Sequence, residues 1–212
     1  MIDFLIYSGY LFLLINLILY THSFFHKEKA NVFFICYLLF AFIMQITMEF
    51  MYHLKFDNLF VINIFVIGQM ILLSLFYASI LKLESQKKIV KSCVFMALFI
   101  LSIQFFIDYE QFLKFNLFAI TITSLLIVTF ALLHFYNMLT EHKTYYYITI
   151  AVIFFMLGST ILYLVGNLTL SLSNDVKYLS WTLNAFLFLI YQLFILYEWK
   201  ISFSKKRFIQ VE

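Results

Sequence analysis

The chain reads as an all-α integral membrane protein, a seven-transmembrane-helix bundle with its N-terminus outside and its C-terminus cytoplasmic. Three observations predict this. Of the 212 residues, 65% are hydrophobic and 12% charged, and there is no proline. An ordinary soluble domain is about 45–50% apolar and about 25% charged, and a soluble fold this apolar would expose aggregation-prone patches. The apolar residues fall into runs at roughly 4–22, 31–52, 59–80, 92–108, 115–138, 146–167 and 178–198, and a spanning helix needs about 20 such residues. Positive charge gathers behind every second run, which sets orientation. The runs use most of the length, so one membrane domain is expected over 1–212.

The first run, 4–22, lacks a basic leader and a small-residue cleavage site, so it is read as a retained span and not a removable signal. The basic turn His26-Lys27-Glu28-Lys29 closes it. Run 31–52 carries Gln45, Glu49 and, just past its end, His53 at four-residue spacing, on one helical face. The turn Lys55-Phe56-Asp57-Asn58 leads into 59–80, which holds Asn63 and Gln69. The stretch Lys82 to Lys91 is drawn as a polar break before 92–108, where Gln104 and Asp108 repeat the four-residue spacing. After a break from Asp108 to Lys114, run 115–138 contains Thr121, Ser124 and His134. Run 146–167 presents Ser159, Tyr163 and Asn167, and run 178–198 presents Trp181, Asn184 and Gln192. Such short connections make neighbouring helices antiparallel.

The connections after the first, third and fifth runs, with the tail, hold 11 basic residues: Lys27, Lys29, Lys82, Lys87, Lys88, Lys91, Lys143, Lys200, Lys205, Lys206 and Arg207. The opposite side holds 3, Lys55, Lys114 and Lys177. An excess of lysine and arginine marks the cytoplasmic face. Cys36 and Cys93 then fall near cytoplasmic span ends, where thiols stay reduced, and their spacing makes no metal motif.

Several chemistries lack their residues. A retinal Schiff base needs a lysine inside a span, and a membrane haem needs paired histidines at its depth. Only His134 lies well within a run. A zinc-dependent lipid hydrolase needs several convergent histidines. Transporters commonly show Gly- or Pro-broken spans in matching halves, whereas this chain has 4 glycines and no proline. No cofactor, metal centre or catalytic set is expected, and no nucleic acid partner.

Two features remain as candidate sites. Gln45, Glu49, His53, Asn63, Gln104, Asp108, Ser159, Tyr163, Trp181 and Asn184 concentrate in the outer halves of their runs. Polar groups at membrane depth turn inward and seek partners. Converging, they would line a cup for a small cationic or polyhydroxylated ligand from outside. The competing explanation is interhelical hydrogen bonding, which contributes about 0.6 kcal/mol per pair on average. On the inner side, Lys82, Lys87, Lys88, Lys91, Lys205, Lys206 and Arg207 make a basic surface. It suits either anionic membrane lipid, at about 1 kcal/mol per residue, or a cytoplasmic or membrane protein partner.

The opening Ile6-Tyr7-Ser8-Gly9-Tyr10-Leu11-Phe12, the turn His26-Lys27-Glu28-Lys29-Ala30-Asn31 into Phe33 to Met44, and the late stretch Leu179-Ser180-Trp181-Thr182-Leu183-Asn184-Ala185-Phe186 carry a resemblance. They look like the multi-helix membrane sensor regions of bacterial histidine kinases and AraC-type regulators. The resemblance implies residence in a bacterial cytoplasmic membrane and a sensor-like role. It names no functional residue. With only 199–212 after the last run, it also implies an output passed to a separate protein. The expected function is a non-enzymatic sensor-like or accessory subunit. A small-molecule transporter or channel is the alternative, favoured by a water path past Gln69 and Gln192. A lipid-modifying enzyme using Glu49, His53 and Asp108 is the third reading.

Overall fold

A computed structural model describes residues 2–26, 30–140, 143–168 and 174–204. Seven of its helices are long and apolar enough to cross a membrane. In chain order the helices are α1 (Ile2–Phe25), α2 (Val32–His53), α3 (Leu59–Ile80), α4 (Glu84–Ile107), the single turn α5 (Glu110–Leu113), α6 (Leu117–Asn137), α7 (Tyr146–Leu168) and α8 (Asn174–Trp199). A π-turn, Lys200–Ser204, continues α8. Apolar residues occupy every face of these helices. The outward ones stay uncovered, as at Phe106, which is 92% exposed. A side chain that apolar and that open belongs in hydrocarbon.

Two boundaries differ from the apolar runs. Helix α4 begins at Glu84, so Lys87, Lys88 and Lys91 stand on its first turns and not in a break. Hydropathy locates the apolar part of a helix, while glutamate, glutamine and lysine are themselves good helix formers. The Glu84–Lys87 pair (2.7 Å) adds a favourable i,i+3 contact there. The expected break from Asp108 to Lys114 contains α5.

The chain divides into two compact units, one of Val32–Phe130 and one of Met1–Asn31 with Ala131–Glu212. In the first, α3 is the central element, packed against α2, α4 and α5. Helix α2 buries Phe34, Tyr37, Leu38, Ala41 and Met44, a single stripe at helical spacing. The Phe34 and Phe76 rings meet at 5.1 Å, and Gln69 Nε2 donates to the Tyr37 hydroxyl at 3.4 Å. Gly68 permits this approach, since a Cβ there would overlap the Phe40 ring. The turn out of α2 places Lys55 in the left-handed region, φ 58°. Its N–H donates to Tyr52 O, and that of Phe56 to Met51 O, the paired bonds of a Schellman stop.

In the second unit α8 packs against both α1 and α7. The buried residues of α1 are Gly9, Leu13, Asn16, Tyr20 and Ser23, spaced alternately by four and three as in a coiled-coil seam. Three of them bond to α8. Asn16 Nδ2 donates to Gln192 Oε1 (3.0 Å) and O (2.9 Å), the Tyr20 hydroxyl to Ile195 O (3.2 Å), and Trp199 Nε1 to Ser23 Oγ (2.9 Å). These partners lie 176, 175 and 176 residues apart. A constant separation means that α1 and α8 run parallel, as the first and seventh of alternating spans must. Between α7 and α8 the order reverses. Tyr147 meets Glu198, Phe155 meets Tyr191, Gly158 meets Leu187 and Tyr163 meets Asn184, so these two are antiparallel.

Candidate ligand-binding site

The polar residues expected to form one cup are distributed over both units. Gln45, Glu49, His53, Asn63, Gln104 and Asp108 belong to Val32–Phe130, and Ser159, Tyr163, Trp181 and Asn184 to the other unit. In the latter, Asn184 Nδ2 donates to the Tyr163 hydroxyl at 3.1 Å, an ordinary α7–α8 interhelical bond. The Ser159 hydroxyl and Asn184 Oδ1 are buried without a partner. Trp181 is 61% exposed and faces outward.

In Val32–Phe130 two of the expected residues, Asp108 and Asn63, hold α5. Its start is held by Asp108, whose carboxylate accepts the Glu110 N–H at 3.1 Å and Gln111 Nε2 at 3.0 Å. The turn is tied to α3 by Asn63, which has no exposed surface. Asn63 Nδ2 donates to the carbonyls of Phe112 (2.7 Å) and Lys114 (2.8 Å), with that of Gln111 at 3.4 Å. One amide thus gathers the backbone of a turn that has too few residues to satisfy itself. At the exposed rim Glu110 pairs with Lys114, and the hydrogen bond raises the lysine's pKa. Gln104 is half-buried one turn before the end of α4, with its Oε1 unpartnered.

Two residues beyond Lys114, Asn116 completes the group, and nothing in its sequence context singled it out. Its Oδ1 accepts the Ala119 N–H at 3.0 Å and caps α6. Its Nδ2 is buried and unpartnered, as is Asn63 Oδ1. On α2, Glu49 accepts from His53 Nε2 at 3.1 Å, with His53 open to solvent, and Gln45 lies half-buried one turn below. Such an arrangement offers hydrogen-bond recognition. Asp108 is committed to holding α5.

Of the basic set, Lys88 and Lys91 project from α4 and Lys82 from the turn before it, all exposed, while Lys87 is half-buried against Glu84. Lys205, Lys206 and Arg207 lie outside the described residues.

A second polar centre joins the start of α7 to the end of α8. Glu198 is only 3% exposed. Its carboxylate accepts the Tyr147 N–H at 2.8 Å, capping the first turn of α7 from another helix, and the Ser202 hydroxyl at 2.6 Å. Beside it the Tyr145 hydroxyl accepts the Asn31 N–H at 3.0 Å. Burial pushes that phenol up to about 12, so it stays protonated. His134 Nε2 donates to Thr144 O at 2.9 Å and fastens the other side of the same turn. In the sequence Glu198 looks like an interfacial acid at the end of an apolar run. The only available signal was its place one residue before Trp199.

Over the described residues, fold and site together define a membrane-embedded, all-helical protein with seven spanning-length helices. Compared with known proteins, the chain matches no family model, no curated protein and no solved structure.

Proposed function

We propose that the protein is a non-enzymatic, sensor-like or accessory subunit of a bacterial cytoplasmic membrane, with its N-terminus outside. It takes input where α5 meets α3 and passes it to a separate protein at the α3–α4 turn. A single observation carries this. The hairpin of α3 and α4 bears two buried amide oxygens without a partner, Asn63 Oδ1 and Gln104 Oε1, toward one end and exposed Lys82, Lys88 and Lys91 toward the other. Nineteen residues from Asn63 to Lys82 rise about 28 Å, close to the roughly 30 Å hydrocarbon core. Lysine asymmetry assigns the basic end to the cytoplasm. The resemblance to sensor regions of histidine kinases and AraC-type regulators supports the sensor-like role.

The partner is expected to be a protein with an acidic surface. Purification of the tagged full chain from its host in mild detergent should retain it. The triple substitution Lys82→Glu, Lys88→Glu and Lys91→Glu should release it while leaving the thermal midpoint unchanged. Retention of the same protein by the triple variant would refute the docking assignment. If the wild type retained only anionic phospholipid, the basic end would be a lipid anchor.

A further inference from the structure

We infer that a hydroxyl group, from a resident water or a small polyol, binds between Asn63 Oδ1 and Asn116 Nδ2. The inference deepens the proposed input side, and its chemistry is testable without the partner.

The orientation of both amides is set by their other ends. Asn63 turns its NH2 to the carbonyls of Phe112 and Lys114, so the free atom is the oxygen. Asn116 turns its oxygen to the Ala119 N–H, so the free group is the NH2. Exchanging oxygen and nitrogen in either amide would set donor against donor or acceptor against acceptor. Both residues are almost wholly buried, Asn63 at 0% and Asn116 at 3% exposed. Lys114, whose carbonyl Asn63 holds, is two residues from Asn116, so both side chains meet the same short length of backbone.

A buried polar atom left unpaired costs about 1–3 kcal/mol, and this pair has opposite polarity. A cation would suit Asn63 Oδ1 and be repelled by Asn116 Nδ2, and an anion the reverse. A hydroxyl donates and accepts through one atom and satisfies both. The buried Gln104 Oε1 on α4 is a further unpartnered acceptor in the same unit.

The test uses the 15N-labelled full chain in lipid bilayers, read by magnetisation transfer from water to side-chain amides and by glycerol and glucose titration. A resident water gives transfer to the Asn116 NH2. A polyol gives a saturable shift at Asn116 and Asn63. Either result supports the site and identifies the source of the hydroxyl. Absence of both overturns the inference. The variant Asn116→Ser keeps an oxygen that caps α6 and removes the NH2. It should weaken a saturable polyol response at Asn63 about tenfold or more. A polyol response of undiminished affinity in Asn116→Ser would also overturn the site. Neither readout involves Lys82, Lys88 or Lys91, so failure here is distinguishable from failure of partner docking.

Discussion

A carboxylate buried among membrane helices is stable only when its oxygens are occupied, and Glu198 meets that condition through two hydrogen bonds. One oxygen receives the Tyr147 N–H and the other the Ser202 hydroxyl. The first contact also places negative charge at the positive end of the α7 dipole. Tyr145, the residue before α7, sits at φ 54° and points its phenol to Asn31, so the cap comes from α8. Glu198→Ala is expected to cost about 2 kcal/mol, and Glu198→Gln, which keeps an acceptor but loses the charge, about 1 kcal/mol. Unfolding in mixed micelles, followed through Trp199 beside Ser23, measures both. Equal stability of all three proteins would mean that the cap contributes nothing.

At the scale of elements, the α1–α8 seam shows how polar groups set register where lipid removes the usual hydrophobic drive between helices. Asn16→Leu or Gln192→Leu alone strands a buried amide and should cost about 1–2 kcal/mol. The double variant should cost less than the sum, with a coupling of about 0.6–1.7 kcal/mol. Strict additivity in that cycle would remove the pair's role in register. This seam was partly legible, because Gly9, Leu13, Asn16, Tyr20 and Ser23 follow a heptad and Asn16 is the amide within it. The identity of its partner helix was not, since parallel pairing of the first and last spans is a property of topology. The start of α4 was misread for a different reason. Three lysines end an apolar run without ending a helix, whose first turn is closed by the Lys87 N–H donating to Leu83 O. Asn63 was legible as a polar residue inside a span. Its partners are backbone carbonyls of Phe112 and Lys114, which no side-chain pattern announces. Asn116 stayed hidden because a capping asparagine and an asparagine with a free NH2 look the same in sequence.

For the whole molecule, the parallel course of α1 and α8 agrees with an odd number of crossings between one terminus and the other. It says nothing of which side is which. That choice rests on 11 basic residues against 3, a bias that acts during insertion and leaves no trace in side-chain packing. Cysteine labelling reads it directly. With Cys36 and Cys93 replaced by serine, single cysteines are introduced by Lys55→Cys, Glu110→Cys, Lys88→Cys and Lys143→Cys, all at helix ends or turns. An impermeant maleimide added to intact cells is expected to modify the first two and spare the last two until the membrane is opened. The reverse pattern would leave every interhelical bond in place, yet it would put the Asn63–Asn116 site in the cytoplasm and the lysines of α4 outside. A protein inverted in that way could not receive an external ligand at α5, and its basic end would face no cytoplasmic partner.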